Sequence, residues 1–479
     1  MLLLIALSQS CNKNLELEPI SQISRASFWK SPDDVNGALA AMYLSLRDES
    51  YNVHYLGEFR SEVLERSFST GPFKYWENTL TADDPGPAWN TMYKVIHNAN
   101  LLIKYVPTIS SMPEQKAKEV LAQAYATRAF IYFLMVRAWG KLPFYVEPVE
   151  GIDPKTVQKE RVPVAQIFEL IKSDLDEAID GFANMDFPNN RCEWSKPAVL
   201  ALKADVYLWT AKREGGGNAD LNISLSALNE IQTSDTKLLD DFNSIFRYNN
   251  KGNKEIIFAL RYADNESRNN IGQLAYMINA YFLPTFSEET LSAIGIPGGT
   301  PNMTISKIVR DQFTLDDQRR DATFYEMFAV LPDSPEEQYY GSFVRKYQGH
   351  ILNGARVFLD DIVIYRYADV LLMKAEVKNA LNQDPSEEIN AIRRRAYTTN
   401  FDNHKFVSSS KEKNDAAILK ERLLEFTFEG KRWFDLIRFG KVFELVPSLK
   451  DRPDPNLLLF PIPTSTLSLE TKIEQNPGY

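Results

Sequence analysis

The groups best suited to chemistry in this chain are carboxylates. Three adjacent pairs stand out: Asp83-Asp84, Asp316-Asp317 and Asp360-Asp361. Glycoside hydrolysis sets two carboxyls about 5–5.5 Å apart for retention, or about 6.5–9.5 Å for inversion. Neighbouring residues seldom aim into one cleft at such separations, so turn, cap and solvated-surface roles are expected. The four histidines, His54, His97, His350 and His404, lack metal-ligand spacing, and no Cys/His cluster exists. The chain contains no G-x-S-x-G, H-E-x-x-H or calcium-loop pattern. No metal, cofactor or catalytic residue is expected, and the aromatic-rich, histidine-poor composition leans towards binding.

Binding chemistry is better supplied. Apolar faces of a ligand can stack on Trp or Tyr, and its hydroxyls can pair with Asn, Asp or Arg. Phe73, Tyr75, Trp76 and Asn78 lie in one loop-rich stretch, with Arg66 nearby. Tyr281, Phe282 and Phe286 lie in a second, and Tyr339 and Tyr340 follow. Packing is the alternative role of each. Trp76, between Gly/Pro turns, is the favoured contact.

Cys11 offers a different reaction. It follows the apolar run Leu2-Leu3-Leu4-Ile5-Ala6-Leu7 and the residues Ser8-Gln9-Ser10. That order suits a lipoprotein signal cut just before a cysteine that takes a diacylglycerol. The run is too short to span a bilayer, which needs about 20 apolar residues. No Lys or Arg precedes it, although secretory signals start basic, which points to a start upstream. If Cys11 is lipidated, Cys192 has no partner and no disulfide framework holds the fold.

The elements that must position these groups are mostly helical. The 479 residues are 44% hydrophobic and 25% charged, with a net charge of -10. Phosphate backbones are bound by clustered Lys and Arg, so nucleic acid is not an expected partner. Ser31, Pro32 and Asp34 form a capping box before a helical apolar face, Val35, Leu39, Met42 and Leu46. Later helices are expected near 88–105, 114–139, 163–183, 197–212, 221–232, 361–381, 386–397 and 415–443. They fall into consecutive pairs, 114–139 with 163–183, 197–212 with 221–232, 361–381 with 386–397, and 415–428 with 431–443. Each pair buries one face and stacking covers the rest, as in helical-repeat proteins. Gly215-Gly216-Gly217 reads as a helix–helix loop. Strands are expected at 255–262 and at Leu457–Pro463. The division is a signal run over 1–10, a lipidated tether over 11–24 and one domain over 25–479. Its helical scaffold covers approximately 25–50, 88–250 and 360–445, with loop-rich, ligand-facing stretches at 51–87 and 250–359.

Several local patterns then fall in order. They are Phe28-Trp29-Lys30-Ser31-Pro32-Asp33-Asp34, Trp89-Asn90-Thr91-Met92-Tyr93, Arg128-Ala129-Phe130 with Trp139-Gly140, and Tyr365-Arg366-Tyr367-Ala368-Asp369. Glu425-Phe426, Glu429-Gly430-Lys431-Arg432-Trp433-Phe434-Asp435 and the closing Gln475-Asn476-Pro477-Gly478-Tyr479 complete the set. Together they resemble the RagB/SusD family of Bacteroidetes surface lipoproteins. The resemblance implies a mainly α fold, with tetratricopeptide-like helix pairs, an irregular ligand-facing half and a few short strands. It also implies an outer-membrane lipid anchor, usually facing the cell exterior, and a SusC-like TonB-dependent transporter as partner. The ligand is then an oligo- or polysaccharide, or a peptide, captured without cleavage. A lipid-anchored glycoside hydrolase and a ligand-free helical scaffold are the rival readings. The charged motif around Trp433 is read as structural, with Arg–carboxylate pairs and a buried Trp fixing helix geometry.

Overall fold

Ser31 starts the first helix as its side chain predicts. In the computed structural model, Asp34 N donates to Ser31 Oγ (3.4 Å) and Ser31 N to Asp34 Oδ2 (2.8 Å), closing the capping box. The structure describes residues 28–68, 73–151, 157–267, 269–333 and 335–479. The signal run, the tether and Cys11 lie outside them.

The helix pairs form as their apolar spacing requires. Glu114–Trp139 packs on Val164–Gly181, and Lys196–Arg213 on Gly217–Ile231. Tyr367–Ala380 packs on Ser386–Tyr397, and Lys411–Phe426 on Arg432–Phe439. A further pair joins Pro32–Asp48 to Asn90–Tyr105. Glu114–Trp139 is buried almost all round from Ala122 onward. Its Arg128 survives there because Asp174 takes its Nε and Nη2 (2.8 and 2.7 Å) and Asn100 takes Nη1 (2.7 Å).

Between the helices lies a fully buried charge network. Arg366 donates to Glu429 (2.9 Å twice), Glu255 (2.7 Å) and Glu425 (2.5 Å). Arg395 shares Glu255 and Glu425, Arg319 reaches Asp317, Glu421 and Glu425, and Lys346 reaches Glu429 (2.8 Å). The motif after Glu429 continues it: Lys431 pairs with Asp369, Arg432 with Glu62, and Asp435 with Arg422 and Arg438. These charges fix how the helix pairs meet, as expected of that motif.

Four local expectations are corrected. Residues 50–57, at the start of the first loop-rich stretch, form a helix, because Val53, Leu56 and His54 bury one face against the core. Gly217 begins its helix four residues before the expected start. Gly216, just ahead of it, lies so close to Asp220 that a Cβ there would fall 1.9 Å from Oδ2. The segment expected to start a helix at 361 is instead the strand Ile362–Arg366, antiparallel to Ile256–Leu260 with Ile362 opposite Leu260. All residues of both strands are buried, and the β-branched run Ile362-Val363-Ile364 favours that extended form. The stretch Leu457–Pro463 is not a strand. Pro455–Leu458 is a short 3-10 turn, and Pro461 and Pro463 lack the N–H a ladder needs. Phe460 N bonds the Ala138 carbonyl (2.7 Å), while Trp139 Nε1 bonds that of Pro461 (3.3 Å).

The two loop-rich stretches meet. Leu64–Arg66 pairs antiparallel with Met303–Ile305, placing Arg66 opposite Met303. Beyond it, Phe324–Val330 and Glu337–Val344 form a hairpin beside Met303–Ile305. No helix among the described residues is long and apolar enough to cross a membrane.

Candidate ligand-binding site

Tyr75 and Trp76 sit on a single helical turn, Lys74–Glu77, and Phe73 stands just before it. Asn78 ends it with φ 50, a left-handed conformation that Asn tolerates better than most side chains. The facing wall comes from the Ser50–Gly57 helix and the residues just after it. Tyr55 and Phe59, four residues apart, are neighbours (ring centroids 4.4 Å). Tyr55 lies 5.1 Å from Tyr75, and Phe59 meets Tyr75 edge-on at 5.8 Å. Phe73 stands perpendicular to Trp76 at 5.3 Å. Such edge-to-face aromatic contacts stabilise by about 0.5–1.5 kcal/mol each beyond area burial.

Tyr55, Phe59, Phe73 and Tyr75 border an open cleft of about 300 Å³, which Met303 and Asn302 close from the other loop-rich stretch, while Trp76 packs on Phe73 outside that lining. The size is that of a small-ligand site. Polar groups face it. Burial raises the Tyr55 and Tyr75 phenols above their ordinary range, so both stay protonated and can donate. Neither hydroxyl, nor the Asn302 side-chain amide, has a hydrogen-bond partner among the described residues. Lys74, at the cleft edge, pairs with Asp84.

The expected contacts separate into three places. Phe73 and Tyr75 are half-buried and line the cleft, whereas Trp76, the favoured contact from sequence, is half-buried beside Phe73 and does not line it. Arg66 reaches Glu77 on the same turn (3.3 Å). Asn78 lies behind them, 4% exposed, its Oδ1 accepting from Arg60 Nε (2.7 Å) and its Nδ2 donating to Ser448 Oγ (2.9 Å). A second aromatic group lies beyond the Leu64–Arg66 ribbon. There Phe68 stacks on Tyr281 (4.5 Å, 17°), with Tyr340 at 5.1 Å and Phe286 behind Tyr340 at 5.4 Å. Phe286 is buried, and Phe282 packs beside it at 6.2 Å. Tyr339 points to the other face of its strand, as alternation demands. It is exposed beside Phe328 and lies under Arg310 (4.8 Å). Sequence reasoning missed Tyr55, Phe59 and Asn302. The four-residue spacing of Tyr55 and Phe59 was the available signal for the first two.

The carboxylate pairs all have partners. Asp83 accepts from Thr464 (2.6 Å), Asp316 from His404 (2.8 Å), and Asp317 holds Arg319. Asp360 accepts from Gly349 N (2.6 Å), and Asp361 from Lys251 (2.7 Å) and Tyr262 N (2.9 Å). No cluster of three or more His, Cys, Asp or Glu among the described residues is placed to hold a metal ion.

Comparison with known proteins gives the same picture. Residues 189–453 match the model of the SusD family, and residues 15–208 match a model described as starch-binding and associating with the outer membrane. SusD-like protein P38 of Formosa agariphila is 30% identical over 100% of this chain and 98% of its own. The structure of B. fragilis NanU superposes with a TM-score of 0.86 at 32% identity, covering 97% of this chain and 100% of that one. A laminarin-binding SusD-like protein shares the fold, with a TM-score of 0.77 at 24% identity over 94% of this chain and 100% of its own. Helix pairs, buried charge network and end-to-end similarity agree: the chain belongs to the SusD family.

Proposed function

We propose that this protein captures an oligo- or polysaccharide in the aromatic cleft and delivers it to a SusC-like TonB-dependent transporter of the outer membrane. The observation that carries the reading is the cleft itself. Tyr55, Phe73 and Tyr75 offer ring faces and edges, and two phenol hydroxyls and an amide stand beside them without protein partners among the described residues. A sugar needs that combination: apolar stacking for its C–H face and donors or acceptors for its hydroxyls. The family model described as starch-binding supports the ligand class. The protein grips and releases, with no bond made or broken; the engaged carboxylate pairs argue against the hydrolase rival. Diacylation at Cys11 anchors it, since each buried CH₂ contributes about 0.8 kcal/mol of membrane attachment.

Affinity electrophoresis through gels containing single polysaccharides tests this. The wild type is retarded by at least one, and Tyr75→Ala migrates faster in that gel with an unchanged melting temperature. Steady release of reducing sugar by the purified protein would instead establish the hydrolase.

A further inference from the structure

The turn that carries Trp76 is held from behind by residues close to the C-terminus. Ser448 Oγ donates to the Trp76 carbonyl (2.7 Å) and accepts from Asn78 Nδ2 (2.9 Å). Arg452 Nη2 reaches the carbonyls of Glu77 (3.3 Å) and Asn78 (3.2 Å). Arg60 completes the set. It donates to Asn78 Oδ1 (2.7 Å) and to the carbonyls of Leu457 (2.5 Å) and Leu459 (2.7 Å). Its guanidinium lies 4.5 Å from the Trp433 ring and 4.8 Å from that of Phe460.

A single helical turn cannot hold its own shape, because a first turn fixes several dihedrals for one hydrogen bond. Lys74–Glu77 is such a turn. Residues 69–72, just before it, lie outside the described ones. Its order comes from elements some 370 positions along the chain. Ser448 is half-buried, Arg452 is exposed, and neither is an aromatic wall of the cleft.

We propose that Ser448 and Arg452 are positioning residues for the ligand: they fix the 73–78 turn, and so the pose of the Phe73 and Tyr75 rings that line the cleft, before any sugar arrives. The inference rests on the reading of the aromatic cleft as the binding site. A preformed site spares the ligand the cost of ordering it. Releasing the turn weakens binding while every ring stays in the sequence.

The test uses Ser448→Ala, Arg452→Met, the double variant, and Ser448→Thr as the conservative rescue. The amides of Asn78 and Thr79, bonded to the carbonyls of Tyr75 (3.2 Å) and Lys74 (3.0 Å), report on the turn by hydrogen exchange. Retention in gels containing laminarin, starch or xylan reports on binding. The double variant is expected to exchange these amides at least about tenfold faster and to bind about tenfold more weakly, a change of about 1.4 kcal/mol. Ser448→Thr restores both. Unchanged exchange overturns the clamp. Faster exchange with unaltered retention, in a gel where Tyr75→Ala loses retention, overturns the positioning role and leaves the site standing. Wild-type retention by Tyr75→Ala, or no retention of the wild type in any gel, overturns the site itself, and the exchange data still decide the clamp.

Discussion

Gly86 backs directly onto the ring of Tyr75. A Cβ built on Gly86 would fall 2.8 Å from Tyr75 Cε1 and 3.1 Å from its hydroxyl, and Gly86 has φ +85. The left-handed backbone and the missing side chain serve one purpose: they let the Tyr75 ring lie where it borders the cleft. Gly86→Ala is therefore expected to cost about 1–3 kcal/mol in backbone strain and to push the ring out of place. Weaker retention on polysaccharide gels, together with a lower melting temperature, checks this. Gly151→Ala is the control, since no described residue lies within 4 Å of a Cβ there.

Arg366 is shared by three carboxylates, and all four side chains are fully buried. Arg366→Met leaves Glu255, Glu425 and Glu429 short of a cation, and breaking a buried pair in this way costs about 3–5 kcal/mol. Urea unfolding should show that loss as a lower midpoint with an unchanged slope. A variant as stable as the wild type would show the network to be dispensable.

Acid should loosen the same network. Burial pushes Glu429 upward, but Arg366 and Lys346 outweigh it and hold its carboxyl at about 2. A depressed carboxylate contributes stability above its unfolded pKa of 4.5 and loses it as pH falls towards 2. Glu429→Gln lacks that dependence. The stability gap between wild type and variant should therefore shrink as pH drops from 4.5 towards 2, followed by urea midpoints at each pH.

Glu58 works in the opposite sense. Burial raises it to about 7, against the N–H donors of Gly430 (2.7 Å) and Phe428 (2.7 Å). A raised carboxyl favours the fold below its unfolded pKa of 4.5 and loses that contribution as pH rises through 7. Relative to wild type, Glu58→Gln should gain stability as pH climbs from 4.5 to 7, above a constant deficit from its mismatched amide. His54, four residues earlier, is held down to about 4 by burial. It is present in both proteins, so the difference in melting temperature isolates Glu58.

Cys11→Ala tests the proposed lipid anchor, since Cys11 is the cysteine that follows the apolar run. The variant should move from the membrane fraction to the soluble fraction on cell lysis and centrifugation. A variant that still sediments with membranes would remove Cys11 as the anchor.

Much of the scaffold was legible because helices advertise themselves locally. Ser31 and Asp34 announce a start, Pro113 and Pro163 each stand just before one, and Gly140 and Gly181 mark stops. Apolar spacing around Ile167, Ile171, Leu175 and Ala178 names the buried face. The segment after Asp361 misled because an apolar β-branched run can pair with a distant strand, and Ile256–Leu260 lies about 100 positions away. The cleft was half legible. Trp76 and Tyr75 stand out between turns, but Tyr55 and Phe59 lie in a stretch that reads as loop, and the helix that presents Tyr55 appears only in the structure.

The sequence by itself determined the family resemblance, the helix pairs, the structural role of the Glu429–Asp435 motif and the aromatic candidates, because caps, periodicity and charge pairing act over a few residues. Only the tertiary structure decided which candidates share a cleft. It set Tyr75 against Tyr55, put Asn78 behind the site instead of in it, turned Tyr339 away from Tyr340, and tied the Trp76 turn to Ser448. Those relations depend on strand pairing and on side chains that meet across hundreds of residues, and no local pattern encodes which distant partner fills a given gap.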